Sequence, residues 1–148
     1  MRTSIIIILS LAMLAMFACQ EKKDIAEEKE TIIKINEKEL QASKNHNIEV
    51  LASIWLHEPY IAHGMGKTDQ EVRGWDSLRV AYKRMSEELK QIEYTAENYD
   101  ITITGNVAFL MYDETMEAVL SGEGYSHEKK VYKYFIKKDG EWKLFAVL

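Results

Sequence analysis

Near residue 92 the spacing of apolar residues changes from the three-and-four rhythm of a helix to the two-residue rhythm of a strand, which leaves few folds open. Before that point Ile32, Ile33 and Leu40, with Asn36 and Ser43, trace one helical face within 30–43. A second helix begins at a capping Asn47, carries Ile48, Leu51, Ala52 and Trp55 as its stripe, and is stopped by Pro59. Tyr60 to Gly64 reads as a short strand leading into a loop with Gly64 and Gly66. A third helix starts near Gly74 and turns Trp75, Leu78, Ala81, Tyr82, Met85 and Leu89 to one side. Strands are then predicted near 93–103, 107–119, 125–137 and 141–148. Their turns fall at Gly105-Asn106, Ser121 to Gly124 and Asp139-Gly140. Consecutive strands joined by short turns make an antiparallel sheet, so the fold class is α+β, with helices first and packed on one sheet face.

The N-terminus reads as an address. Arg2 supplies a positive start, and Ile5 through Ala18 is broken only by Ser10, an apolar run of signal-peptide length and short of the ~20 residues a spanning helix needs. Met16-Phe17-Ala18-Cys19, followed by Gln20-Glu21-Lys22-Lys23-Asp24, resembles the bacterial lipoprotein signal, with Met16 and Phe17 where that pattern prefers Leu and a small residue. The resemblance implies cleavage before Cys19, lipidation of Cys19 and, with Gln20 next, an outer-membrane anchor. The organisation expected is a signal peptide at 1–18, a lipidated Cys19 and charged tether at 19–28, and one domain at 29–148. Alternatively, residues 20–28 simply begin the first helix. Cys19 is the sole cysteine, so the exported domain has no disulfide available. Periplasmic and surface-facing display both stay open.

A hydrophobic share of 47% with 29% charged residues is that of a folding globular chain. Net charge is -5, and Arg2 is the signal's one charged residue, so its removal leaves 18 basic against 24 acidic residues. Such a body is a poor binder of nucleic acid, which needs clustered Lys and Arg. Lys129-Lys130 and Lys137-Lys138 read as solvated strand ends.

Two segments carry a further resemblance. One runs Asn47-Ile48-Glu49-Val50-Leu51 to Trp55, Pro59-Tyr60-Ile61-Ala62-His63-Gly64 and Arg73-Gly74-Trp75-Asp76-Ser77-Leu78 with Tyr82. The other is Asn106-Val107-Ala108-Phe109 with Phe135 to Leu144 around Asp139-Gly140. Together they resemble the nuclear transport factor 2 superfamily in its SnoaL-like and ketosteroid-isomerase-like branch. What this implies is a cone-shaped, curved antiparallel sheet on three N-terminal helices, a cystatin-like roll with an apolar pocket in its wide end. Homodimers through the outer sheet face are implied as well.

Matched on the same landmarks, His63 falls where the isomerases hold their proton-moving Asp, Tyr132 where they hold a protonated Asp, and Glu39 where they hold an oxyanion Tyr. A neutral imidazole can serve as a base, and Tyr132 can donate a hydrogen bond; an anionic Glu39 cannot. The isomerase pattern is thus not kept whole, and His63 as a polar residue at a pocket mouth is the plainer reading. Trp55, Tyr60, Trp75, Tyr82 and Tyr112 are candidate pocket residues beside His63, although aromatics at such spacings are usually core. Asp113 and Glu114 are either pocket carboxylates or part of a solvated face. No metal is expected, since His46, His57, His63 and His127 have no ligand-like spacing. No cofactor, phosphate loop or nucleophile is indicated.

Three functions stay open: an envelope lipoprotein binding a small, mostly apolar molecule without catalysis, an isomerase or hydratase using His63 as general base, and a dimerising interaction module.

Overall fold

The computed structural model describes residues 24–64 and 71–148. The expected signal peptide, Cys19, the start of the expected tether and the Gly66 part of the loop lie outside the described residues. The chain divides into two compact units, 1–31 and 32–148. In the first, residues 24–31 are helical, so the tether expected up to residue 28 is helix from residue 24.

In the second unit α1 occupies 32–44. It is followed by α2 (Ile48–Ile54), β1 (Ala62–Gly64), β2 (Glu71–Arg73), α3 (Trp75–Glu88), β3 (Leu89–Thr104), β4 (Val107–Leu120), β5 (Glu123–Lys138) and β6 (Glu141–Val147). Asn47 caps α2 as expected, its side chain accepting from the Val50 N–H at 3.0 Å. The helix ends well before Pro59. Trp55 turns extended and bridges Leu144, and the Leu56 N–H donates to the Leu144 carbonyl at 2.8 Å. Sheet pairing therefore terminates α2, and Pro59 only shapes the turn beyond it. Gly74 starts α3 at φ +77°, a conformation that costs a side-chain-bearing residue energy, while its N–H holds the Ile61 carbonyl.

The six strands are ordered β2-β1-β6-β5-β4-β3. The β3 to β6 meander is antiparallel, as its rhythm predicts. Ser121-Gly122 and Asp139-Gly140 both have positive φ at their two central residues, the geometry of type I′ hairpins. The expected all-antiparallel sheet is corrected at β6, whose free edge accepts β1 in parallel, with Ala62 opposite Ala146 and His63 opposite Val147. β2, which holds a single apolar residue and so gives no strand signal, extends the edge by pairing with β1.

Bulges bend this sheet. β3 slips register between Lys90 and Glu93 and between Glu97 and Asp100, where Gln91 and Asn98 take positive φ, and a third slip leaves Phe145 of β6 as the extra residue opposite Tyr134 and Phe135 of β5. The inward face buries Leu110, Tyr112, Phe135 and Leu144 against Ile32, Leu51, Ile54 and Leu78 of the helices. Each such side chain contributes roughly 1.5–3 kcal/mol by leaving water. A smaller cluster of Leu89, Ile92, Met116 and Ala118 forms towards the β4–β5 turn.

Candidate ligand cavity

Between these two clusters a cavity of about 530 Å³ opens between the inward sheet face and all three helices. Its apolar wall includes Leu51, Met85, Ile92, Met116 and Val131. Its polar groups arrive by strand parity. On β5 the odd-numbered residues Tyr125, His127, Lys129, Val131 and Lys133 face in, and on β4 Glu114 and Met116 do.

Lys133 is the least expected of them. It is buried at mid-strand, and its Nζ donates to Asn36 Oδ1 at 2.7 Å and to Glu39 Oε2 at 2.8 Å, both one turn apart on α1. From α3 the Tyr82 hydroxyl donates to the other oxygen of Glu39 at 3.1 Å. Burial works to raise the Glu39 pKa, but the charge and hydrogen bond of Lys133, with Tyr82, hold it below the usual carboxylate value. Burial, with the adjacent Glu39, pushes the Tyr82 hydroxyl well up, so it stays a donor.

His63 stands on the same sheet row, since it pairs with Val147 and Val147 pairs with Lys133. Its Nδ1 contacts the Gly64 carbonyl at 2.9 Å, which fixes Nδ1 as the donor and leaves Nε2 as the acceptor of the ring. Burial pushes its pKa down to about 4, with Glu39 pulling the other way and Lys133 adding to the fall. The ring is thus neutral at physiological pH. Trp55 packs at 5.7 Å behind it and Tyr82 lies edge-on at 5.8 Å.

His63 and Tyr82 line the cavity, and Trp55 backs the His63 ring. Tyr112 is wholly buried beneath the wall, its hydroxyl donating to Glu114 Oε2 at 2.9 Å. Trp75 is half-buried and stacks on His57 at 4.7 Å, away from the lining. Tyr60 belongs to the turn after Pro59 and is 57% exposed, so the expected pocket role is corrected. Tyr132 is corrected too. It is the outward neighbour of Lys133 and stacks on Phe109 across the outer sheet face, where it cannot donate into the cavity. Asp113 and Glu114 separate by the same parity: Asp113 turns out to Lys130 and Asn98, and Glu114 turns in.

Among the described residues no group of three His, Cys, Asp or Glu could hold a metal ion. The geometry offers a neutral acceptor at His63 beside a saturated ion pair, within a chamber whose wall is partly apolar and carries further polar groups on β4 and β5.

A family model described as the SnoaL-like domain matches residues 32–146. Comparison with curated proteins gives no match. Among solved structures, a nuclear transport factor 2-like superfamily protein from Salmonella enterica serovar Typhimurium is similar with a TM-score of 0.74 at 14% identity, over 84% of this chain and 89% of that one. A proposed dehydratase of the nuclear transport factor 2-like family from Streptomyces avermitilis gives 0.75 at 15%, over 82% and 94%. The association domain of C. elegans CaMKII gives 0.65 at 16%, also over 82% and 94%. At such identities these likenesses establish the fold alone.

Proposed function

Because this chain belongs to the SnoaL-like domain family, we propose that its domain holds a small, mostly apolar molecule in the cavity, with a polar end turned to His63. The observation that carries this reading is the chamber of about 530 Å³, within the usual range for small-molecule sites, whose apolar wall meets a few convergent polar groups. The full chain purified from its own host, under native mass spectrometry, is expected to retain a small molecule released on denaturation. Absence of any retained mass, together with no rise in melting temperature from a panel of apolar probes, refutes it.

A second reading is proton transfer at His63 in an isomerase- or dehydratase-type reaction. Its support is the neutral ring with a fixed tautomer, and relatives of similar fold include proposed dehydratases. A conjugate acid at about 4 makes a weak base, so binding without catalysis leads. Under the catalytic reading His63→Ala lowers turnover of a carbonyl or hydroxyl substrate by ~100-fold with little change in KM.

The outer sheet face carries Phe109, Tyr132 and Tyr134 in ring contact, and we read it as the surface through which two copies pair. Sedimentation of the full chain with and without Tyr134→Glu decides that. Export and lipidation at Cys19 rest on the N-terminal residues, and loss of labelled fatty acid in Cys19→Ala is the check.

A further inference from the structure

The cavity has a second polar station, on its β4–β5 side. Lys133 and His63 share one cross-strand row, through Val147. Four residues back along β5, Lys129 lies opposite Glu114, and two further back His127 lies opposite Met116. Six residues of extended strand separate Lys133 from His127, about 20 Å along the chain. The wall between the stations is apolar, with Val131, Met116 and Ile92.

At this far station Glu114 is only 7% exposed. Its Oε2 accepts from the Tyr112 hydroxyl, and its Oε1 lies 3.7 Å from His127 Nε2 and 3.7 Å from Lys129 Nζ, both beyond hydrogen-bond range. The His127 side chain is 24% exposed, but both its ring nitrogens are buried, and neither has a hydrogen-bond partner. The exposure therefore belongs to its carbons. Buried imidazole nitrogens without partners are uncommon, because desolvating a polar atom is repaid only when it bonds. The ring that carries them lines a chamber large enough for a ligand, so a small turn of the ring brings a nitrogen to it.

We infer that Glu114 and His127 anchor the far end of the cavity ligand, and that the group they take is a hydroxyl. A hydroxyl oxygen seated beside the two groups, within hydrogen-bond reach of each, accepts from Nε2–H of His127 and donates to Oε1 of Glu114, making two hydrogen bonds from one group. A carboxylate there faces the Glu114 carboxylate. An ammonium faces Lys129. A carbonyl can accept from His127 but gives Glu114 nothing. At the near end the acceptor Nε2 of His63 also suits a hydroxyl. The ligand class is then an elongated molecule, apolar along its length and hydroxylated at both ends. This inference rests on the ligand reading of the cavity given under Proposed function.

The test is calorimetric titration of the full chain with straight-chain diols from hexane-1,6-diol to tetradecane-1,14-diol, each against the 1-alkanol of equal carbon number. At one best-fitting length the diol is expected to bind roughly tenfold tighter than its alkanol, and the margin falls away on either side. His127→Phe, which keeps a ring against Tyr125, removes the margin. Glu114→Gln, which keeps the shape without the charge, cuts it to about threefold or less and serves if the first variant does not fold. Alkanols that bind with diols no tighter at any length overturn the second station and leave the cavity reading intact. A margin that survives both substitutions overturns the assignment to these two residues. No binding by any member of either series overturns this inference and the cavity reading together.

Discussion

Replacing Lys133 with Met keeps an unbranched stem of nearly the same reach and removes the charge that Glu39 and Asn36 are built around. Glu39 is then left, buried, with the Tyr82 hydroxyl alone. The cheapest escape for such a carboxylate is to take up a proton. At pH 7, protonating a carboxyl of ordinary pKa 4.5 costs about 3.4 kcal/mol, and that figure caps the penalty that Glu39 carries in the variant. The lost bond to Asn36 adds about 1 kcal/mol. The total of about 4 kcal/mol falls within the range seen when one partner of a buried pair is removed.

The pH dependence of this loss distinguishes it from a simple packing defect. In the native chain the Glu39 pKa is lowered, so its contribution is present above 4.5 and is lost as pH falls through the folded value. In the variant that pKa is raised, so the penalty exists above 4.5 and shrinks as pH falls towards it. The two proteins should therefore draw together in acid, as the variant's penalty fades towards pH 4.5, and differ by only about 1 kcal/mol once pH has fallen below the lowered Glu39 pKa of the native chain. Urea melts at several pH values, followed by tryptophan fluorescence, give the difference directly. The double variant Glu39→Gln with Lys133→Met is expected to lose less than Lys133→Met alone at pH 7 and to show no such slope. A cost for Lys133→Met below about 1.5 kcal/mol at pH 7, or one that does not change with pH, refutes the buried-pair account.

His63 binds its proton at about 4 when folded and at 6.5 when unfolded, so the native chain should lose on the order of 3 kcal/mol as pH falls from 6.5 to 4. His63→Phe should lose less over that window in the same urea melts. Asn47→Ala removes the cap of α2 and should cost about 1 kcal/mol, read as a melting temperature lower by roughly 4 °C. Phe135→Ala empties a wholly buried site and should cost about 3–5 kcal/mol, measured as a lower urea midpoint at unchanged slope.

Elements set by neighbouring residues could be read from the sequence. The Asn47 cap, the α3 stripe and the type I′ turns are local signals, and each appears where the residues put it. Features set by distant residues could not. The parallel join of β1 to β6 depends on which sheet edge is left free, and no rhythm encodes that. Strand parity was the other weak point. Counting back from Gly140 to a landmark in the family lands on Tyr132, but a miscount of one residue exchanges the two faces of a strand, and Tyr132 lies on the outer one. The inward residue there is Lys133, and a lysine in step with Val131 and Phe135 was the available signal. Glu114 offered the same signal, alternating with Leu110, Tyr112, Met116 and Ala118.

Partners for these two charges lie far apart in sequence. Glu39 sits on a helix 94 residues before Lys133, so their pairing shows only once α1 lies over the sheet. Asn36, placed on the apolar stripe of that helix, was the one hint of a buried polar partner.

The parallel seam at β6 also sets when the domain can begin to work. His63 comes with β1, while Lys133, Glu114 and His127 come with the meander, and the two groups meet only where Ala62 and His63 dock beside Ala146 and Val147, some 84 positions along the chain. Hairpins of the meander close over short loops, whereas this docking must wait for a long-range search. On the ligand reading proposed above, half a chamber grips nothing, so competence to bind waits for this seam to form. A guest that touches both halves then acts as a clasp, and the seam should be the first place to open when it leaves.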